Sequence, residues 1–463
     1  MTERLITRSP IDGSEYAVRD YAAPAAIESC LACAARAQAG WARASVAERA
    51  ALCSRMVDAF VARRNEIAAE ITWQMGRPIR YSPGEVDGFE ERARHMISIA
   101  GEALAPIRLP DKPGFVRYIR RQPLGVAFVI APWNYPYLTA VNAVVPAILA
   151  GNTVILKHSA QTPLCAERFD QAFRAAGLPE GVFEFLHLRH ADTEQVIRDA
   201  RIRHVCFTGS VPGGAMVERA AAGRFIGVGL ELGGKDPAYV RADADLEHAA
   251  ATAVDGAFFN SGQSCCGIER IYAHASVYEE FVERAVALVR QYRLGRPDDP
   301  ATTLGPVVRP AAAEFIRRQV AEAVAAGATA HLEPAAFPLD MPGSAYLAPQ
   351  VLTGVHHGMR VMTEETFGPV VGIQRVGSDE EAVRLMNDSE YGLTAAVFTR
   401  DLEAGAAIGA QVDTGTFFIN RCDYLDPALP WTGVKNSGRG CTLSQLGFDH
   451  LTRPQSFHLK TTP

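Results

Sequence analysis

The first quarter of the chain carries apolar residues at three- and four-residue spacing among charged ones, the pattern of helices with one buried face. This pattern predicts helices over residues 25–42, 46–75 and 86–104. Prolines then interrupt it, and residues 116–121 alternate apolar and basic side chains, as a half-exposed strand does. The N-terminal quarter is therefore expected to be mainly helical.

From residue 125 onward, short apolar runs alternate with helical stretches. We expect strands at residues 125–130, 153–156, 182–186, 204–207 and 225–229, and helices at residues 137–149, 163–176, 192–200 and 214–222. Strand–helix units of about 25 residues predict an α/β fold whose parallel sheet is covered by helices on both faces. Ligands bind such sheets at the carboxyl ends of the strands, so we look there for chemistry.

A second α/β unit is predicted after residue 234, and it extends to about residue 411. The boundary between the two units is expected near residues 231–235. Helices are expected at residues 246–259, 277–292, 311–326 and 379–386, and the tail, residues 448–460, is expected to be partly extended.

Composition narrows the class of protein. The chain has 463 residues, of which 48% are apolar and 21% charged, and its net charge is −6. A mainly disordered chain is excluded, and there is no general attraction to nucleic acid or anionic lipid. Nine cysteines are too few and too scattered for a disulfide scaffold. Residues 124–156 are interrupted by prolines and asparagines, and residues 1–20 lack an apolar signal core, so we expect a cytoplasmic protein without a membrane span.

Several familiar motifs are incomplete. Cys30 and Cys33 have CxxC spacing, but they lie in a helical pattern without a second pair, which favours two small apolar residues on a helix. Residues 229–235 begin like a phosphate loop, but Asp236 follows where a Ser or Thr would hold Mg²⁺. No metal site is expected, because no suitable carboxylate pattern accompanies the histidine pairs His187 with His190 and His356 with His357.

Two predicted strand ends carry candidate binding groups. Asn134 lies between Pro132 and Pro136, which fix the backbone so that its amide N–H₂ can face a ligand; a polar turn cap is the alternative. Residues 207–210 end another strand and Gly214 opens the next helix, whose N-terminal N–H groups suit a pyrophosphate. A plain turn explains that segment equally well.

Acidic and thiol side chains follow further along. Glu231 lies among glycines after an apolar strand, a setting that suits a mobile general base, with a salt bridge to Lys235 as the alternative. Cys265 and Cys266 lie beside glycine and polar residues, which favours a reactive thiol over an inert buried one. Residues 363–369 place two acids before an aromatic residue and a Gly-Pro turn, and alone they are compatible with a surface turn.

Together these motifs resemble the aldehyde dehydrogenase superfamily, from about residue 10 to residue 459. The resemblance rests on the order and spacing of segments at residues 132–136, 154–157, 207–210, 231–235, 258–265, 365–369 and 430–440. Glu231 and Cys265 are 34 positions apart, as the resemblance expects. It implies an NAD(P)-dependent enzyme that oxidises an aldehyde and releases the carboxylic acid by hydrolysis.

The resemblance assigns roles residue by residue. Cys265 would be the nucleophile that forms a thiohemiacetal and then a thioester, with Cys266 as its neighbour. Asn134 and the backbone N–H of Cys265 would form the oxyanion hole, and Glu231 would activate the hydrolytic water. The cofactor-binding residues would be Trp133, Lys157, Gly209, Ser210, Gly214, Glu365 and Phe367.

The same resemblance implies an aldehyde dehydrogenase-like α/β fold with three parts. A Rossmann-type dinucleotide-binding domain would cover residues 1–110 and 125–233, and an α/β catalytic domain would cover residues 234–440. Residues 111–124 and 441–463 would form a small β region that pairs between subunits, so a homodimer or homotetramer is expected.

Some positions depart from the pattern of the superfamily. Ala160 occupies a position where many NAD-using relatives carry a glutamate that repels a 2′-phosphate. We therefore expect use of both cofactors or a preference for NADP. The residues that line the substrate site are expected to include Tyr135, Asn142, Cys266 and Tyr424, near Thr139 and the loop 421–426.

The charges of that loop leave the substrate open. Asp423 and Asp426 favour a cationic aminoaldehyde, whereas Arg421 favours a semialdehyde, and aliphatic or aromatic aldehydes are further alternatives. A non-catalytic binding or structural protein of the same fold is a second hypothesis, against which the intact catalytic set argues. A thiol esterase is a third, because an activated thiol beside an oxyanion hole also cleaves esters.

Overall fold

Two mainly parallel β-sheets, each packed against helices, form the framework of the protein in a computed structural model that describes residues 3–461. From edge to edge, the first sheet contains the strands Gly438–Arg439, Gly227–Glu231, Ile202–Thr208, Val126–Ala131, Thr153–His158 and Phe183–Phe185. The strand Gly438–Arg439 pairs antiparallel, and the others are parallel. The neighbouring strands Val126–Ala131 and Thr153–His158 are buried at every residue because helices cover both faces of the sheet. The predicted parallel α/β sheet is confirmed.

The second sheet is formed by the following part of the chain. From edge to edge it contains the strands Thr329–Ala330, Gln350–Thr353, Val370–Val376, Ile268–His274, Asp236–Val240, Thr394–Phe398 and Thr416–Ile419. All are parallel except the edge strand Thr329–Ala330. This arrangement confirms the second α/β unit.

Helices account for most of the remaining core. The α-helices are Pro24–Trp41, Val46–Val61, Arg64–Met75, Pro83–Ala103, Pro136–Leu149, Leu164–Ala175, His190–Arg198, Val211–Ala221, Leu246–Phe258, Tyr278–Val289, Pro310–Ala325, Arg360–Thr363, Asp379–Asn387 and Leu402–Gly409. Short 3₁₀ helices are Phe259–Gly262, Pro334–Ala336 and Gln445–Phe448. Most predicted helices are confirmed to within a few residues.

Two predicted elements need correction. The single helix predicted over residues 46–75 is two helices, because Arg63 leaves the helical conformation (φ −102°, ψ 18°) and its guanidinium pairs with Glu66 of the second helix. The strand predicted at residues 225–229 is Gly227–Glu231, because Phe225 has a φ of 54°, which no strand residue adopts. The shift makes Glu231 the last residue of its strand.

Smaller antiparallel sheets complete the fold. Arg4–Arg8 pairs with Glu15–Asp20, and Tyr391–Gly392 pairs with Val434–Lys435. A three-stranded sheet contains Thr452–Lys460, Phe115–Pro123 and Ile107–Arg108, in that order. Its two long strands confirm the extended stretches predicted at residues 116–121 and 448–460. The first two and last two residues of the predicted domain ranges lie outside the described residues.

Neither a membrane helix nor a metal cluster is found between residues 3 and 461. No helix there combines the length and the apolar character that a bilayer crossing requires. In the same range, no group of three or more His, Cys, Asp or Glu side chains is arranged to hold a metal ion.

Candidate active site

Cys265 is one of the residues that line two separate cavities. The smaller cavity measures about 210 Å³ and is also lined by Asn134, Glu231 and Glu365. The larger measures about 530 Å³ and is also lined by Tyr135. A residue shared by two cavity walls can contact one ligand in each cavity.

A strained turn presents Cys265. The helix Leu246–Phe258 ends in a short 3₁₀ turn in which Asn260 and Ser261 have φ values of 54° and 57°. The Ser261 hydroxyl donates to the carbonyl of Gly305 at 2.9 Å. Gly262 also has positive φ, and a Cβ there would meet the carbonyl oxygen of Gly368. Such conformations are costly, and these contacts fix them.

Asn134 is locked from several sides. Its backbone carbonyl accepts hydrogen bonds from Arg77 Nη2 at 2.6 Å and from Asn260 Nδ2 at 3.2 Å. Its own Nδ2 donates to the carbonyl of Gln263 at 3.2 Å. An amide nitrogen carries two hydrogens, so a second N–H remains for a ligand in the smaller cavity. The interpretation of Asn134 as a turn cap alone does not account for these contacts.

Glu231 is held by two hydroxyl groups. Thr442 Oγ1 donates to its Oε1 at 2.6 Å, and Thr208 Oγ1 donates to its Oε2 at 3.2 Å. Burial raises the pKa of Glu231, and both hydroxyls oppose that rise. The alternative of a salt bridge to Lys235 is wrong, because the Lys235 ammonium is bound to Glu269.

The buried pair Lys235–Glu269 organises the segment that carries Glu365. Glu269 accepts hydrogen bonds from the backbone N–H groups of Thr366 at 2.8 Å and Phe367 at 2.9 Å. Burial raises the pKa of Glu365 to about 8. Its carboxylate packs directly against Gly233, where any Cβ would collide with it. A side chain at position 233 would therefore displace the Glu365 carboxylate.

The other residues expected to bind a cofactor fall into two groups. Trp133, Gly209, Ser210 and Phe367 line the smaller cavity with Glu365. The rings of Trp133 and Phe367 meet edge-to-face, with centroids 5.6 Å apart. Ser210 caps the helix Val211–Ala221 by accepting from the N–H of Gly213 at 3.3 Å.

Gly214 and Lys157 do not line this cavity. The helix begins at Val211, so Gly214 lies inside its first turn. The prediction that Gly214 is the first residue of this helix is wrong. Lys157 is buried near the carboxyl end of the strand Thr153–His158, and burial lowers its pKa to about 8. Ala160 is exposed, and its carbonyl accepts a hydrogen bond from Thr7 at 2.8 Å.

The predicted substrate residues divide in the same way. Tyr135, Cys266 and Tyr424 line the larger cavity. Asn142 does not reach the wall of that cavity; its Oδ1 faces Arg92 Nη1 at 3.4 Å. Thr139 lines a small cavity of about 30 Å³ beside Glu231 instead.

The loop after residue 420 contributes Asp423 to the larger cavity. The Cys266 thiol donates to Asp423 Oδ1 at 2.9 Å, and burial raises the pKa of Asp423 to about 6. Asp426 is exposed. Arg421 stacks on the Tyr424 ring, 3.8 Å from its centroid, and is not part of the wall.

Comparison with known proteins decides the family, because a model of the aldehyde dehydrogenase family matches residues 2–457. The chain belongs to the aldehyde dehydrogenase family. The NADP(+) succinate-semialdehyde dehydrogenase of Deinococcus radiodurans is 37% identical to it over 450 residues, 96% of this chain and 93% of that protein. The NADP(+) succinate-semialdehyde dehydrogenase 1 of Mycobacterium tuberculosis is 34% identical over 445 residues, 96% of this chain and 97% of that protein.

A solved structure agrees. Succinic semialdehyde dehydrogenase from Streptococcus pyogenes, in complex with NADP+ as the cofactor, matches with a TM-score of 0.94 and 29% identity. The match covers 98% of this chain and 99% of that one. The predicted aldehyde dehydrogenase fold and the resemblance on which it rested are confirmed.

Sequence reasoning missed three charged side chains of this aldehyde dehydrogenase: Arg77, Arg92 and Glu269. Arg77 and Arg92 line the larger cavity, and Glu269 accepts hydrogen bonds from the backbone of the segment that carries Glu365. One signal was available, because Arg92 interrupts the apolar stripe of a predicted helix. Arg77 and Glu269 carry no such signal in the sequence.

Proposed function

We propose that this aldehyde dehydrogenase oxidises an aldehyde that bears a carboxylate, a semialdehyde, to the dicarboxylic acid, with NADP⁺ as the preferred cofactor. The observation that carries the reaction is that Cys265 lines both cavities, with Asn134 and Glu231 on the smaller one. The names of the relatives, which are NADP(+) succinate-semialdehyde dehydrogenases, support the substrate and the cofactor.

Each step of the reaction uses a side chain in this arrangement. The Cys265 thiolate attacks the aldehyde carbon, and the oxyanion of the thiohemiacetal accepts hydrogen bonds from Asn134 Nδ2 and the Cys265 backbone N–H. One such donor contributes about 10²–10³-fold in rate. NADP⁺, when bound, would supply the acceptor for the hydride that leaves the thiohemiacetal carbon, and Trp133, Glu365 and Phe367 would hold its nicotinamide end. Glu231 then takes a proton from the water that attacks the thioester carbon, which frees the acid and the thiol. A raised pKa makes Glu231 a stronger base.

The residues present suit a dinucleotide. The helix Val211–Ala221 points its N-terminus at the smaller cavity through Ser210, a setting that favours an anion such as a pyrophosphate. Within residues 3–461, Lys157 has no ion-pair partner, and Ala160 offers no carboxylate that would repel a 2′-phosphate. These two features support NADP over NAD. We place Trp133, Glu365 and Phe367 at the nicotinamide end of the cofactor.

Other activities have weaker support. Asp423 on the larger cavity favours a cationic aminoaldehyde, but its carboxylate is bound to the Cys266 thiol. Cys265 with its oxyanion donors is also equipped to cleave an ester without cofactor. A non-catalytic role conflicts with the presence of the complete catalytic set.

The experiment that tests the proposal measures formation of reduced nicotinamide with a panel of aldehydes, with NAD and NADP in parallel. The panel contains acidic, amino-bearing, aliphatic and aromatic aldehydes, and Cys265→Ser is the control. We expect turnover with acidic semialdehydes and NADP, and none with Cys265→Ser. Faster turnover with aminoaldehydes or with NAD would contradict the proposed substrate or cofactor, and turnover of esters without cofactor would favour the esterase.

We further propose the division into a dinucleotide-binding domain (residues 1–110 and 125–233), a catalytic domain (234–440) and oligomerisation strands (111–124 and 441–463). The strand Thr452–Lys460 is an edge strand, and both its Leu459 and the Val116 paired with it on the neighbouring strand are exposed. Such an edge suits pairing with a second copy, as a homodimer or homotetramer. Light scattering coupled to size exclusion tests the assembly. A cytoplasmic location stays part of the proposal, since Cys265 acts as a free thiol.

A further inference from the structure

Arg92 is a buried cation on the wall of the larger cavity, and no carboxylate among residues 3–461 forms a salt bridge with it. It lies on the buried face of the helix Pro83–Ala103, between Phe89 and Met96, and it is 8% exposed. Within residues 3–461, no carboxylate oxygen lies within 4.0 Å of its guanidinium. Burying an unpaired charge is costly, so this position calls for an explanation.

Only one edge of the guanidinium is occupied. Nη1 donates to the carbonyl of Leu138 at 2.7 Å and faces Asn142 Oδ1 at 3.4 Å. Among the described residues, neither Nε nor Nη2 of Arg92 has an acceptor. The contacts with Leu138 and Asn142 fix the orientation of the plane and leave the Nε–Nη2 edge free.

The acidic side chains that line the cavity do not form a salt bridge with Arg92, because each of them has a different partner. Four carboxylates share the cavity wall with Arg92. Their partners are Arg77 for Glu85, Arg64 for Asp87, the Tyr424 hydroxyl for Glu91 and the Cys266 thiol for Asp423. Arg92 is therefore the arginine on this wall that is available to pair with an anionic ligand.

We propose that Arg92 binds the carboxylate of the substrate through its Nε–Nη2 edge while Cys265 attacks the aldehyde carbon at the other end. This inference rests on the proposed function and assigns its substrate specificity to one residue. Two parallel N–H donors match two carboxylate oxygens. Leu138, Phe259 and Trp431 form an apolar part of the same wall, which suits the methylene chain between the two ends.

The test compares two aldehydes that share the same four-carbon chain as substrates of the full-length enzyme. They are 4-oxobutanoate and its neutral methyl ester. The readout is the ratio of their kcat/KM values. Arg92→Gln is expected to lower this ratio about 10²-fold, since two hydrogen bonds between charged groups are lost. Arg92→Lys keeps the charge without the two-donor edge, so a loss of about tenfold is expected.

Arg94→Gln is the matched control. Arg94 lies on the same helix, but its guanidinium is bound to Glu90 and Asp58 outside the cavity. We expect Arg94→Gln to leave the ratio unchanged. An equal loss on both substrates in Arg92→Gln would show that Arg92 only supports the fold, and an unchanged ratio would show that the carboxylate binds elsewhere. Either result overturns the inference.

Binding of succinate separates this inference from the proposed function. Calorimetry with the parent enzyme and with Arg92→Lys needs no turnover, so it is informative even if no aldehyde is oxidised. If Arg92→Lys binds succinate more weakly than the parent enzyme does, the result supports the binding of the carboxylate by Arg92. Equal binding by both proteins refutes it. Absence of nicotinamide reduction with every aldehyde refutes the proposed function instead.

Discussion

Thr442 donates a hydrogen bond to Glu231 across 211 residues of chain, with 2.6 Å between Oγ1 and Oε1. The contact exists because the short strand Gly438–Arg439 pairs with the strand Gly227–Glu231 and brings the following residues beside it. Burial favours the protonated carboxyl, and the hydroxyl favours the carboxylate. The balance between them sets the pKa of Glu231, which we propose to be the general base.

Removing this hydroxyl is expected to shift the pH dependence of turnover. Thr442→Val takes away a donor that stabilises the carboxylate, so the pKa of Glu231 rises further. A general base acts when it is deprotonated, so the acid limb of the kcat profile moves to higher pH. The measurement is kcat against pH, with Thr442→Ser as the control that keeps the hydroxyl. An acid limb at the same pH in both variants would disprove the coupling.

The two adjacent cysteines are expected to behave differently. Cys265→Ser removes the nucleophile and is expected to lower kcat about 10³-fold or more. Cys266→Ser keeps a donor for Asp423, so its kcat is expected to stay within about threefold of the parent. Steady-state rates with NADP and a semialdehyde measure both. If Cys266→Ser were the inactive variant, the assignment of the nucleophile would be reversed.

Cofactor choice is expected to depend on position 160. Ala160→Glu adds a negative charge where we place the 2′-phosphate, and we expect KM for NADP to rise about tenfold with a smaller change for NAD. Ala160→Gln has nearly the same size without the charge and serves as the control. Equal effects of the two substitutions would indicate that shape, not charge, determines the selection.

The buried pair Lys235–Glu269 is expected to be sensitive to the loss of one partner. Glu269→Gln leaves the Lys235 ammonium buried without a counter-ion, and such a loss costs about 3–5 kcal/mol. Urea unfolding followed by circular dichroism should show a lower midpoint. The double variant Lys235→Met with Glu269→Gln removes both charges, keeps an acceptor for the N–H groups of Thr366 and Phe367, and is expected to recover much of the loss. A double variant less stable than Glu269→Gln would argue that the charges themselves stabilise the fold.

Local motifs of the site could be predicted from sequence because each lies at the end of one helix or strand or in the turn after it. Asn134, Glu231 and Cys265 are examples, and the structure brings all three to one cavity. Their partners could not be predicted in this way. Thr442 and Glu269 reach the site only through strand pairing and burial, and nothing in the neighbouring sequence marks them.

The fold shows the same limit. The strand Asp236–Val240 begins with Asp-Pro, a pair typical of turns, yet the strand is fully buried. Its Asp236 carboxylate accepts hydrogen bonds from the backbone and the hydroxyl of Thr394 on the neighbouring strand, at 3.1 and 2.6 Å. Hydrogen bonds from a neighbouring strand thus stabilise a carboxylate in a sheet at a position where the local sequence is typical of a turn.

The central claim is that a thioester on Cys265 is hydrolysed by water that Glu231 activates. Glu231→Gln tests it most directly, in a rapid-mixing experiment that follows reduced nicotinamide with a semialdehyde and NADP. We predict one burst equal to the number of Cys265 thiols, followed by turnover slowed about 10²-fold or more. Unslowed turnover after the burst would contradict the role of Glu231, and absence of a burst would show that Glu231 is needed before the thioester forms.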